Sequence, residues 1–200
     1  MFFSTKRYSR AGLLLGCLLG MTGVAAQNLV TNGDFNAPIV PPSWTPSTDG
    51  MCNSCSVAVD NTNGQPTIPS ARLVSSHPGN AGQLLSSPCI AYGSGIYDVG
   101  AFRRINSASA NAQGTIEFYF WSNATCDSGY NGTAPLTTLG TVGTWEQIGV
   151  TNFDPPGASG FFVVVLQARL NGAIAGTANY SFDHVYFNKP DPIFSNGFEN

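Results

Sequence analysis

From Gln27 onward, apolar residues recur mostly at every second position, in runs of five to eleven residues separated by Gly, Pro, Asn and Ser. A period of two is the pattern of strands that bury one face. It predicts strands over 28–32, 55–60, 71–76, 82–91, 95–105, 114–122, 136–141, 145–153, 160–170 and 178–188. Pro38, Pro41 and Pro42 predict an extended loop before Trp44, 61–69 reads as another loop, and 106–114 as a hairpin connection. No stretch carries a sustained helical period with caps, and there is no internal repeat. Regular short strands of this kind predict an all-β chain folded as a two-sheet antiparallel sandwich or jelly roll.

Alternation also assigns faces. Tyr97, Val99, Ala101 and Ile105 fall on one side of their strand, as do Ile116, Phe118 and Phe120, and Phe162, Val164, Leu166 and Leu170. These read as core. If the three strands are neighbours, their opposite sides form one surface carrying Phe102, Arg104, Glu117, Tyr119, Trp121, Gln167 and Arg169. A pyranose presents an apolar C–H face that stacks on aromatic rings and a rim of hydroxyls that needs polar partners, so this mixture suits a sugar. The plainer alternative is a cross-strand ion pair between Arg104 and Glu117 with the aromatics covered by a loop. Trp44 and Trp145 read as core or edge residues.

The N-terminus sets the compartment. Lys6, Arg7 and Arg10 precede an apolar stretch over 11–24, and Val24-Ala25-Ala26 supplies small side chains for cleavage. Residues 1–26 therefore read as a signal peptide, too short to span a bilayer, with a domain over 27–189 and a tail over 190–200. Beyond residue 26, five basic residues face eleven acidic ones, too few and too scattered to neutralise a phosphate backbone or dock on a membrane surface. Four cysteines follow the signal: Cys52, Cys55, Cys89 and Cys126. In an exported chain they read as two disulfides with three possible pairings; Cys89–Cys126 with Cys52–Cys55 is favoured because Cys89 and Cys126 each end a strand-like run. A zinc site is the weaker reading, because only Cys52 and Cys55 have ligand-like spacing.

Two stretches near the ends of the domain carry a family resemblance. Asn28-Leu29-Val30-Thr31-Asn32-Gly33-Asp34-Phe35-Asn36, followed by Trp44-Thr45, resembles the opening of carbohydrate-binding modules of families 4, 9 and 22, which read N-L-x-x-N-G-D-F-E and then a Trp-Thr pair. Gln83, Tyr97, Thr144-Trp145-Glu146 and Phe182-Asp183-His184-Val185 are similar to later landmarks in the same order. The resemblance implies a galactose-binding-like jelly roll. It also implies a structural calcium ion joining the opening loop to the closing Asp, at Asn36, where the family has Glu, and Asp183. The segment 193–199 resembles a C-terminal signature of exported proteins of some gammaproteobacteria.

Catalytic chemistry finds little support. The chain holds only His77 and His184, and His184 adjoins Asp183 in a strand, where alternation would send the two side chains to opposite faces. Neither a G-x-S-x-G nor an H-E-x-x-H motif is present. Glu117 lacks a second facing carboxylate for glycoside hydrolysis. The expectation is a secreted, extracellular or periplasmic, monomeric bacterial module that binds a poly- or oligosaccharide without catalysis. The alternative is a cell-surface structural or protein-interaction protein with no sugar site.

Overall fold

The structure is a computed structural model, and it describes residues 27–190 apart from 51, 53, 79–80, 138–139 and 173–174. The expected signal peptide and nearly all of the tail lie outside the described residues. Among the described residues, eleven strands form two antiparallel sheets. One runs β1 (Thr45–Gly50), β4 (Ala81–Ser86), β10 (Gly160–Leu170), β7 (Ala112–Trp121), β8 (Tyr130–Leu136), with the short β5 (Ile90–Tyr92) also paired to β10. The other runs β2 (Ser56–Asp60), β3 (Ser70–Pro78), β11 (Ala175–Asn188), β6 (Tyr97–Ala108), β9 (Trp145–Phe153). The sheets pack face to face as a jelly-roll sandwich.

The long central strands follow the alternation. Ile116, Phe118 and Phe120 of β7, and Phe162, Val164, Leu166 and Leu170 of β10, are buried against Tyr97, Val99, Ala101 and Ile105 of β6. Phe187 of β11 sits among Phe162 (ring centroids 4.2 Å apart, stacked), Tyr97 (4.5 Å) and Phe118 (5.8 Å). Trp44 is fully buried; its indole N–H donates to the Asn32 carbonyl, and its ring lies 5.3 Å from Phe35.

The departures are at the edges. Thr45–Gly50, where no strand is predicted, forms edge strand β1, because backbone pairing to β4 needs no apolar alternation. The expected strand over 28–32 is reduced to a single bridge, Asn28 to Asn188. The run over 82–91 splits into β4 and β5, and the expected strand over 136–141 is replaced by β8, which ends at Leu136. β8 carries Pro135, which an edge strand accommodates where a central one would not. The favoured disulfide pairing is present: Cys89–Cys126 and Cys52–Cys55 have Cα–Cα distances of 5.8 and 5.6 Å. Among the described residues, no helix is long and apolar enough to cross a membrane.

Candidate functional site

The conditional surface of the sequence reading divides in two. β7 and β10 are neighbours, but β6 belongs to the other sheet. Phe102 and Arg104 are therefore corrected to the outer face of the five-stranded sheet. There Arg104 Nη1 donates to Asn63 Oδ1 at 2.7 Å, and Phe102 lies 6.1 Å from His184, so no Arg104–Glu117 pair exists. Alternation within a strand gave the side of each residue correctly; it carried no information about which strands share a sheet.

Glu117, Tyr119, Trp121, Gln167 and Arg169 do come together on the outer face of the six-stranded sheet. The register sets Phe161 beside Trp121, Val163 beside Tyr119, Val165 beside Glu117, Gln167 beside Thr115, and Arg169 beside Gln113. β8 and β1 add two residues that the sequence reading missed. Tyr130, opposite Trp121, is 52% exposed, and its ring lies 5.4 Å from Trp121 and 6.4 Å from Tyr119. Asp49 Oδ2 accepts from Arg169 Nη2 at 3.0 Å across the intervening strand β4. Tyr130 was hidden because it opens a strand expected later along the chain, and Asp49 because no strand was expected over 45–50.

The face is thus graded. At one end stand three aromatic rings, with Trp121 and Tyr119 half-buried. In the middle the Tyr119 hydroxyl donates to Glu117 Oε2. Burial, reinforced by that bond to a carboxylate, pushes the Tyr119 phenol up to about 12, so it stays a donor throughout the physiological range. At the other end are Arg169, paired with an Asp49 that is about half exposed, and Gln167, nearly buried in the floor. Trp121 Nε1 and Arg169 Nε are buried without hydrogen-bond partners. A rigid sheet holding rings next to fixed donors and acceptors meets an amphipathic ring without much ordering cost.

The opposite face holds the joint that the resemblance assigned to calcium. The opening loop is tied to β11 by the Val185 amide donating to the Gly33 carbonyl at 3.0 Å, and by His184 Nδ1 and Asp34 Oδ1 at 2.7 Å. The pairing of β11 with β6 shifts register between Asp183 and Tyr186, and His184 has a left-handed φ of 47°. This bulge turns His184 onto the same outer face as Asp183, beside Phe102, which corrects the expectation of opposite faces. Asp183 is buried, and its two oxygens accept from the Gln65 amide (2.6 Å) and the His184 amide (2.7 Å). Asn36 is exposed, and its side chain forms no hydrogen bond among the described residues. Among the described residues, no three His, Cys, Asp or Glu side chains gather to hold a metal ion.

Burial raises the Asp183 carboxyl to about 6, against the opposing pull of its two amide donors. The folded state then holds this proton more tightly than the unfolded chain does. Asp183 accordingly contributes stability that is present at acid pH and is lost as pH rises through about 6, amounting to about 2 kcal/mol between pH 4 and 7. The expected result is that the difference in melting temperature between the wild type and Asp183→Asn changes steadily across that window, to the disadvantage of the wild type at higher pH. Parallel profiles would show that the carboxyl titrates elsewhere.

No protein-family model matches the chain, and no curated protein matches it. Solved structures do. The family 61 carbohydrate-binding module TmCBM61, determined in complex with β-1,4-galactotriose, is 16% identical with a TM-score of 0.52, over 82% of this chain and all of that one. A structure from a study of promiscuous carbohydrate-binding modules of the β-sandwich superfamily is 10% identical with a TM-score of 0.56, over 84% of this chain and 64% of that one. The enzymatically active domain of tailspike protein 4 from bacteriophage CBA120 is 17% identical with a TM-score of 0.55, and the likeness covers 21% of that chain. At these identities the likeness is one of fold. That fold is the two-sheet jelly-roll β-sandwich, which this chain shares with these carbohydrate-binding modules and with part of the tailspike domain.

Proposed function

We propose that the protein is a secreted, monomeric, non-catalytic carbohydrate-binding module that holds a poly- or oligosaccharide on the outer face of its six-stranded sheet. One observation carries this reading: Tyr119, Trp121 and Tyr130 cluster on the same face as Glu117, Gln167 and the Arg169–Asp49 pair. The rings stack on the apolar faces of the sugar, and the polar groups take its hydroxyls. Two disulfides in a chain that opens with a signal-like segment support export. A structural calcium ion at the joint between opening loop and β11, with Asn36 and Asp183 among its ligands, is part of the proposal: the wild type should melt higher in calcium than in EDTA, and superimposed melts would remove the ion from it.

The test is affinity electrophoresis of the oxidised protein in gels containing soluble β-1,4-galactan, xylan, β-glucan, mannan or pectin. We expect retardation by one polymer and its loss in Trp121→Ala. Removing a stacked ring costs about 1–3 kcal/mol, or roughly ten- to a hundredfold in affinity, with the melting temperature kept within a few degrees. Free migration in every gel, or full retardation of Trp121→Ala, would sink the reading.

A further inference from the structure

The register orders the outer face of the six-stranded sheet into rows. At the level of Trp121, a line across the strands meets Tyr130, Trp121, Phe161 and Ala91. At the level of Gln113 it meets Gln113, Arg169, Gly82 and Asp49. The first row offers mainly ring faces, the second hydrogen-bonding groups and no ring. A line along β7 instead passes Trp121, Tyr119, Glu117, Thr115 and Gln113, which alternation puts on one face. A ligand running lengthwise meets both kinds of contact; one crossing at either level meets one.

Two atoms at the polar end lack what an occupant would bring. Thr115 is 6% exposed, and its Oγ1 has no hydrogen-bond partner. Arg169 Nε is also buried without one. Buried polar atoms in this condition cost stability unless something supplies the missing bond. Thr115 stands beside Gln167, with Arg169 diagonally beyond it, opposite Gln113. Arg169 crosses Gly82 to reach Asp49: a Cβ on Gly82 would meet Arg169 Cγ at 3.5 Å. Gln113 is exposed and the Arg169 side chain is 40% exposed. Both are long arms, so a ligand that draws their heads to its own hydroxyls uncovers the threonine beside them. β8 ends at Leu136, opposite Ile116, so among the described residues no strand flanks this end of β7 on that side.

We infer that the face binds a linear, neutral glycan lengthwise along β7 and β10, and that Thr115 and Gln113 read its hydroxyls at the polar end. The inference rests on the proposed sugar-binding face and adds to it the direction, length and charge of the ligand. At about 3.4 Å per residue, Trp121 to Gln113 spans about 27 Å, room for about five β-1,4-linked pyranose units, whereas a trisaccharide on the rings stops near Glu117. Asp49 and Glu117 outnumber Arg169 on this face, so a neutral chain is favoured over a polyuronate. Thr115 Oγ1 and Arg169 Nε gain from sugar hydroxyls the partners they lack.

The experiment is calorimetric titration of the oxidised protein with the tri- and hexasaccharides of β-1,4-galactan, xylan, cellulose and mannan, and with hexagalacturonate. Thr115→Val, Gln113→Ala and Trp121→Ala are measured beside the wild type, each with a melt, and the polymer gels are run in parallel. The wild type should bind one neutral hexasaccharide at least about tenfold more tightly than the matching trisaccharide, as for several added hydrogen bonds. Thr115→Val should cut that ratio about fivefold, as for one lost buried hydrogen bond, and Gln113→Ala should cut it in the same direction. Trp121→Ala should weaken both lengths alike. Equal affinity for the two lengths in the wild type overturns the lengthwise arrangement and leaves the face standing. A ratio that both Thr115→Val and Gln113→Ala leave intact does the same, as does tighter binding of hexagalacturonate than of any neutral hexasaccharide. Failure of every hexasaccharide to bind, with a polymer still retarded, also overturns this inference alone. Failure of every oligosaccharide and every polymer overturns the sugar face with it.

Discussion

Phe187→Ala is expected to lower the stability of the domain by about 4 kcal/mol and its melting temperature by roughly 8–16 °C. Phe187 lies near the C-terminal end of β11, fully buried, and reaches across to the other sheet. Its ring stacks on Phe162 at 4.2 Å and an angle of 21°, and lies 4.5 Å from Tyr97. Phe118, Tyr92, Phe120 and Phe153 complete the surround at 5.8–6.4 Å. Truncation therefore removes apolar burial and several aromatic contacts at once, and neighbours held in two different sheets cannot collapse into the void together. Equilibrium unfolding in urea measures it. A loss below about 1.5 kcal/mol would mean that the two sheets close the gap, and that the core is less tightly specified than its ring geometry implies.

The second large effect concerns the long disulfide. Replacing Cys89 and Cys126 by Ser in one double variant should cost about 4 kcal/mol, because the bond closes a loop with a sequence separation of 37 and restricts the unfolded chain accordingly. The local consequence is as informative. Cys126 lies in the connection between β7 and β8, whose flanks are Trp121 and Tyr130. Cys89 lies just before the three-residue strand β5, which among the described residues pairs only with β10. Without the bond, the aromatic end of the face loses its tie to that strand. The melt should shift by roughly 8–16 °C, and polymer retardation should weaken even well below the new midpoint. An unchanged melt would place little of the domain's stability in this bond.

Most of the sandwich was readable from the sequence, because the strands at its centre are long and obey a strict period of two. β9 and β10 begin and end where the pattern put them, and the inward residues of β6, β7 and β10 are the core. What the pattern could not carry was pairing. Phe102 and Arg104 were placed with Glu117 and Trp121 on the assumption that three strands were neighbours, and strand order in a jelly roll is set by long crossovers that leave no local mark. Edge strands were the other gap. Thr45–Gly50 is polar, and the inward positions of Tyr130–Leu136 are Gly132, Ala134 and Leu136, so their alternation hardly marks the sequence. Two of the residues that complete the face, Asp49 and Tyr130, sit on these strands. The bulge at His184 was likewise invisible, since a single inserted residue resets the alternation without changing composition. Both disulfides were legible, because Cys89 and Cys126 each end a strand-like run and Cys52–Cys55 closes a small loop.

The hydrogen-bonded contact between Asn28 and Asn188 has a consequence for presentation. Because the chain enters and leaves the domain side by side, by way of the central strand of the five-stranded sheet, one tether point serves both directions. An attachment made at either end of the described residues therefore leaves from the sheet opposite the one that carries Trp121 and Tyr130.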